Sequence, residues 1–201
     1  MTASGLEIRV LTGRNPEFAT LVPDLARLRI TVFREFPYLY DGSAAYEEKY
    51  LATYTNCADS VAVIVRDGDR VVGASTGLPL VAETPEFQQP FRAHGYLPAT
   101  IFYCGESVLL AEYRGRGLYR AFFEGREQHA RTLRGFRSMA LCAVVRKEDH
   151  PRRPPGYAPL DPVWQRFGYV RHPELVTQYE WQDLDEAAPS AKDMVFWLKS
   201  L

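Results

Sequence analysis

Apolar residues alternate with polar ones at Leu6, Ile8 and Val10, which predicts a short opening strand. The spacing then lengthens. Leu21, Leu25, Leu28, Val32 and Phe36 recur as one face of a helix does. Thr20 stands where an N-cap hydroxyl belongs, and Pro37 ends the pattern by disfavouring the α region at the residue before it. Residues 37–42 read as an aromatic-rich loop, and Ser43 as the cap of a second helix with Tyr46, Tyr50 and Tyr54 on one stripe. Two β-rich runs, Val61 to Val65 and Val71 to Thr76, flank Asp67-Gly68, which is hairpin chemistry. The stretch from Pro79 to Pro98 is less regular, with a short helix expected around Glu86 to Arg92.

The second half is organised around residues 101–134. An apolar run, Ile101 to Leu110, predicts a central strand; Arg114-Gly115-Arg116-Gly117 makes a short turn; and Leu118, Phe122, Ala130 and Leu133 mark one side of a helix. Ser138 to Val145 is another β-leaning run. Arg146 to Pro159, basic and proline-rich, predicts an irregular loop. Asp161 is expected to cap a short helix running to Phe167 and closed by Gly168. Val176 to Trp181 and Met194 to Lys199 make a last pair of strands joined by the acidic stretch from Asp183 to Lys192. Strands and helices mix without an internal repeat or linker, so we expect one α/β domain over residues 1–201.

Strand, glycine-bearing turn and helix point several backbone N–H groups at one small volume. The first turn of a helix has unpaired donors and a partial positive charge, so such a volume binds anions, here a phosphate or pyrophosphate. Arg114 and Arg116 add full charges. No Gly-x-x-x-x-Gly-Lys-Ser/Thr is present, which argues against a P-loop ATPase. Gly115-x-Gly117 lacks the third glycine of a dinucleotide fingerprint and the βαβ unit that accompanies it.

Composition narrows the classes further. With 24 Lys and Arg against 25 Asp and Glu, the chain has no global charge footprint for nucleic acid or an anionic membrane. No apolar run is long enough to span a bilayer, and no charged-then-apolar leader stands at the start. Cys57, Cys104 and Cys142 are an odd number at scattered spacing, and His94, His129, His150 and His172 show no ligand spacing. We expect reduced thiols, no metal and a cytoplasmic protein.

Arg114-Gly115-Arg116-Gly117-Leu118-Tyr119 resembles the acyl-coenzyme A signature of the GNAT N-acyltransferases, Arg/Gln-x-x-Gly-x-Gly/Ala, in all but its last position, where Tyr119 stands. The order of elements agrees along the whole chain, as does Trp164 to Tyr169, where the family carries an aromatic and then Gly-Phe/Tyr. The resemblance implies a mixed, mostly antiparallel sheet of about six to seven strands flanked by helices and splayed beside the central strand. It implies acetyl-coenzyme A as co-substrate and acetyl transfer to a primary amine by direct attack in a ternary complex.

The resemblance also implies roles. Residues Leu109, Leu110, Ala111, Arg114, Gly115, Arg116, Gly117, Leu118 and Tyr119 would hold the coenzyme, with backbone N–H groups of Leu109 to Ala111 polarising the thioester carbonyl. Gly105 inside the strand would mark a bulge that frees such donors. An alkyl ammonium has a pKa near ~10.4 and must lose a proton before attack. Glu106, amid apolar neighbours on the central strand, is the candidate base; the competing reading is an exposed or arginine-paired carboxylate. Many relatives protonate the leaving thiolate with a tyrosine on the last short helix. Trp164 stands there in this chain, so Tyr157 is the candidate acid.

The acceptor, a small-molecule or peptide amine, is expected between the loops of residues 36–42 and 146–159. Tyr38, Tyr40 and Asp41 would suit an amine; Arg146, Lys147, Arg152 and Arg153 would suit an acidic group, or form a solvated loop. A monomer or homodimer acting on neither nucleic acid nor membrane is expected. A reading from another class is a non-catalytic acyl-coenzyme A-binding sensor, favoured by Trp164.

Overall fold

The structure, a computed structural model, describes residues 5–201; residues 1–4 of the expected domain lie outside the described part. Strand β1 (Leu6–Thr12) is followed by helices α1 (Pro16–Thr20), α2 (Val22–Phe33) and α3 (Ala44–Thr55), then by the hairpin β2 (Val61–Asp67) and β3 (Arg70–Pro79). Helix α4 (Pro85–Ala93) leads to β4 (Ile101–Leu109), α5 (Leu118–Leu133), β5 (Ser138–Val144), α6 (Asp161–Arg166), β6 (Val170–Trp181) and β7 (Ser190–Ser200). The strands form one seven-stranded sheet in the order β1-β2-β3-β4-β5-β7-β6. Only β4 and β5 pair in parallel; the rest is antiparallel.

The β-branched run of β2 is buried on both faces because helices cover both sides of the sheet centre. Val63 of β2 lies so close to α5 that a Cβ on Gly125 would stand 2.7 Å from its Cγ2. Phe102 and Cys104 of β4 point to the same side, joining Phe123, Ala130 and Trp197, while Tyr103 points to the other and meets Phe87. Helix α2 packs on that opposite face, against β3 and β4.

Some boundaries differ from the sequence pattern. Thr20 is not an N-cap: its hydroxyl bonds the Glu17 carbonyl at the end of α1. Asn15 takes that part, accepting from the Glu17 N–H just before Pro16, a residue pre-set for a first turn. The expected single helix therefore becomes α1 and α2. The cap at Ser43 stands, accepting from the Tyr46 N–H. Asp161 is the first residue of α6, after Leu160, and no side chain caps that helix. Strand β6 begins at Val170, ahead of the expected Val176. A register shift between His172 and Val176 absorbs the polar residues, which this edge strand can turn to solvent.

Two irregularities shape the centre. Pairing of β4 with β5 runs only from Ile101–Ser138 to Cys104–Leu141, so the rest of each strand borders an opening. On the other side of β4, Ser75 pairs Ser107 and Gly77 pairs Cys104, leaving Gly105 and Glu106 opposite Thr76 alone. This is the bulge expected at Gly105. It reverses the alternation, so Glu106 faces α2 and not, with Cys104, α5. Gly105 is required by close approach: a Cβ there would sit 1.9 Å from the Tyr54 hydroxyl.

Candidate active site

A cleft of about 1060 Å³ fills the opening between β4 and β5. At its head is the turn after β4. Gly115 and Gly117 have φ of 76° and 78°, the left-handed region that glycine enters without strain. Among the described residues, the N–H groups of Gly115, Arg116 and Gly117 bond no other backbone carbonyl outside regular elements. Leu118 and Tyr119 open α5, and their N–H groups are likewise without a backbone carbonyl outside regular elements, whereas the Arg120 N–H donates to the Gly117 carbonyl at 3.1 Å. Arg114, Gly115, Gly117, Leu118 and Tyr119 line the cleft.

The turn's charges are arranged differently from what the bare sequence suggests. Arg114 is held by both carboxylate oxygens of Glu35, at 2.8 and 3.0 Å, and by the Leu109 carbonyl at 3.1 Å. The hydrogen bonds to Glu35 raise the Arg114 pKa still further. Arg116 folds back, bonding the Glu112 carbonyl at 2.8 Å and lying 5.0 Å from the Tyr113 ring centre. The turn therefore offers backbone donors first and side-chain cations second. Tyr119 does lay its ring away from the turn: its hydroxyl donates to the Ser107 carbonyl at 3.2 Å, and burial raises its pKa.

The three expected oxyanion donors are not equivalent. The Leu110 N–H is already bonded to the Val72 carbonyl at 3.0 Å, because the β3–β4 ladder continues one residue past β4. Leu110 is thus set aside as a donor to a ligand. Leu109 lines the cleft, and Ala111 starts a short 3₁₀ turn.

Glu106 is buried with no exposed side-chain surface. Its Oε2 accepts from Arg29 Nη1 at 2.5 Å, and its Oε1 has no hydrogen-bond partner among the described residues. Arg29 in turn pairs with Glu47 and lies 4.3 Å from the Tyr50 ring centre. Burial works against the Arg29 charge, but Glu106 and Glu47 outweigh it and raise its pKa. Beside them Tyr54 donates to Glu83 at 3.0 Å, and burial raises the Glu83 pKa. Glu106 is therefore paired with an arginine through one oxygen, while the other oxygen is left without a partner among the described residues.

Tyr157 lines the cleft from the loop before α6, edge-on to Phe36 at 4.7 Å, and burial raises its pKa, so it stays protonated. Trp164 also lines the cleft, packed 5.2 Å from Trp197. The expected acceptor residues part company. Tyr38 borders the cleft, but neither Tyr40 nor Asp41 does. Tyr40 packs into the cluster of Val144, Trp181 and Met194, and Asp41 pairs with Arg34 at the surface. Both are corrected as cleft residues: the isolated bridge of Tyr40 to Asp183 turns that end of the loop away. Arg146 reaches the cleft, yet its donors are engaged by Asp183, at 2.7 and 2.9 Å, and by the carbonyls of Pro37 and Tyr38. It clamps two loops together and has no fork left for an acidic acceptor.

Among the cleft residues that the sequence pattern missed are Glu35 and Arg126, and it missed the partner Arg29 as well. A signal for the arginines was present. Arg29 interrupts the stripe of Leu25, Leu28 and Val32, and Arg126 falls midway between Phe122 and Ala130 on the apolar face of α5. A charge on such a face is buried with partners or serves a ligand.

No protein-family model and no curated protein matches this sequence. Solved structures do resemble it in shape. The ribosomal-protein-alanine N-acetyltransferase of Brucella melitensis superposes with a TM-score of 0.61 at 14% identity, over 97% of this chain and 99% of its own. An N-acetyltransferase of Staphylococcus aureus Mu50 gives 0.59 at 13%, over 98% and 99%, and a GCN5-related N-acetyltransferase of Kribbella flavida gives 0.56 at 14%, over 98% of both. This chain has the GNAT fold, with a mixed sheet of seven strands, where about six to seven were expected, opened beside β4. Among the described residues, no cluster of His, Cys, Asp and Glu suits a metal, and no helix is long and apolar enough to cross a membrane.

Proposed function

We propose that the protein is an N-acyltransferase, carrying an acyl group, acetyl in the simplest case, from acyl-coenzyme A to a primary amine. The observation that carries this reading is the run of unpaired N–H groups from Gly115 into the first turn of α5, at the head of an open cleft. A pyrophosphate fits such a run of donors, and the pantetheine arm would descend where β5 no longer pairs β4. Backbone donors would carry most of this binding, since Arg114 is already paired with Glu35.

In this reading the amine nitrogen attacks the thioester carbonyl, the C–S bond breaks, and the amine's proton passes to Glu106, directly or through a water. The bulge at Gly105 turns Glu106 to the α2 side of β4, the side from which the amine would come in this reading. The departing thiolate takes a proton from the Tyr157 hydroxyl or from water. The acceptor is a small-molecule or peptide amine entering past Tyr38; nucleic acid and membrane are not expected partners, and the expected setting is the cytoplasm.

Thermal-shift titration with acetyl-coenzyme A, beside free coenzyme A, ATP and NADH, tests the coenzyme step. A ligand of the folded state at ~100 times its dissociation constant adds about 2.7 kcal/mol. A higher melting temperature with the two coenzymes alone is expected; no shift at millimolar ligand overturns the reading.

A further inference from the structure

We propose that Arg126 receives a carboxylate on the acyl group, so that the preferred donors are coenzyme A monothioesters of short dicarboxylic acids. The inference rests on the coenzyme reading above and narrows the acyl class that the cleft takes.

Arg126 is only 2% exposed, yet it lines the cleft from the α5 side. Its one hydrogen bond runs from Nη1 to the Glu106 carbonyl at 3.0 Å; Nε and Nη2 have no partner among the described residues. The Phe123 ring centre lies 5.0 Å from its Cζ. Every other arginine in or behind this cleft with comparable burial has its counter-ion: Arg29 has Glu47 and Glu106, and Arg146 has Asp183. A buried guanidinium with two idle nitrogens and no anion is costly to fold around, unless a ligand supplies the missing charge.

Its position says which part of the ligand that would be. Helix α5 runs back beneath β4 from the phosphate-binding turn, and Arg126 stands eight residues on from Leu118, about 12 Å along the axis at the usual rise. That depth is the vertex of the opening, where β4–β5 pairing ends at Cys104 and Leu141. A ligand anchored by its pyrophosphate at the turn and laid along β4 brings its far end, the acyl tail, to this vertex. The walls there, Cys104, Phe123, Leu141 and Trp197, are apolar apart from the guanidinium. A carboxylate would complete two charge-assisted hydrogen bonds to Nε and Nη2, a fork geometry that an acetyl methyl cannot use.

Isothermal titration with acetyl-, butyryl-, malonyl- and succinyl-coenzyme A and free coenzyme A, on the unaltered protein and on Arg126→Met and Arg126→Lys, decides it without knowledge of the acceptor. We expect malonyl- or succinyl-coenzyme A to bind at least about tenfold tighter than the uncharged donors. The gap should vanish in Arg126→Met and survive in part in Arg126→Lys. Binding of all donors with no gain from the carboxylate overturns the inference and leaves the coenzyme reading standing. A gain that persists in Arg126→Met assigns the carboxylate to another residue and overturns it too. Binding of none removes the coenzyme reading and this inference together. If Arg126→Met does not fold, the donor series on the unaltered protein and on Arg126→Lys decides: no gain on the unaltered protein, or a gain undiminished in Arg126→Lys, overturns the inference.

Discussion

On the face of β4 that α2 covers, one buried guanidinium, Arg29, stands among three buried carboxylates, Glu47, Glu83 and Glu106. On the face that α5 covers, a buried guanidinium, Arg126, has no carboxylate partner among the described residues. The two sides of a single strand are thus unbalanced in opposite senses, and the bulge at Gly105–Glu106 is what separates them. An amine arriving on the first side meets excess negative charge, and an anionic acyl group entering on the second meets excess positive charge. The two sides meet in the opening between β4 and β5, where in the proposed reading the transfer would take place.

The sharpest way to break this comparison is to remove each arginine in turn. Arg29→Met leaves Glu47 and Glu106 buried without their cation and should cost about 3–5 kcal/mol. Arg126→Met removes a charge that has no partner and should be neutral or mildly stabilising. Urea denaturation of the two variants measures both; equal destabilisation would show that Arg126 has a counter-ion in solution. The next largest effect concerns turnover. Glu106→Gln should keep coenzyme affinity and slow thiol release by roughly 100-fold or more with any accepted amine, the usual weight of a general base. Unchanged turnover would remove Glu106 from the chemistry, and a coenzyme-binding protein with no turnover on any amine would favour the sensor reading that Trp164 and the Arg29–Glu106 pair suggest.

The smallest effect is a pH dependence. Burial raises the Glu83 pKa, with the Tyr54 hydrogen bond acting against it. The folded state therefore holds the proton more tightly than the unfolded one, and this contribution is fully present below ~4.3, the unfolded value, and is lost as pH rises through the folded value. Glu83→Gln should accordingly be more stable than the parent at pH 7, with the difference closing toward pH 4. Melting temperatures across that range check it; a gap that widens as pH falls would mean the carboxylate is held ionised.

The glycine turn after β4 was legible because its chemistry is local. Glycines at positive φ, a helix start and a preceding strand all fall within a few residues, so spacing alone marks Gly115 to Tyr119. The same holds for the β2–β3 hairpin and for the cap at Ser43, and the order of elements carried the fold with it. The side-chain assignments were less legible. Glu106 read as a buried acid with or without an arginine partner, and Arg29, 77 residues away, supplies that partner to one of its two oxygens. Tyr40 and Asp41 share a loop with Tyr38, yet a bridge to Asp183, far along the chain, turns them from the cleft. Arg146 looked like a ligand for acids until Asp183 and two carbonyls took up its donors.

Local rules fix backbone dihedrals and periodic faces, because those depend on neighbours in sequence. The sequence by itself therefore determined the strands, the turn and its unpaired donors. Which charges end up paired, and on which face of β4, depends on contacts closed over long loops and on a one-residue bulge that reverses every side chain beyond it. Only the tertiary structure decided that Arg29 would be surrounded by carboxylates and Arg126 left without one.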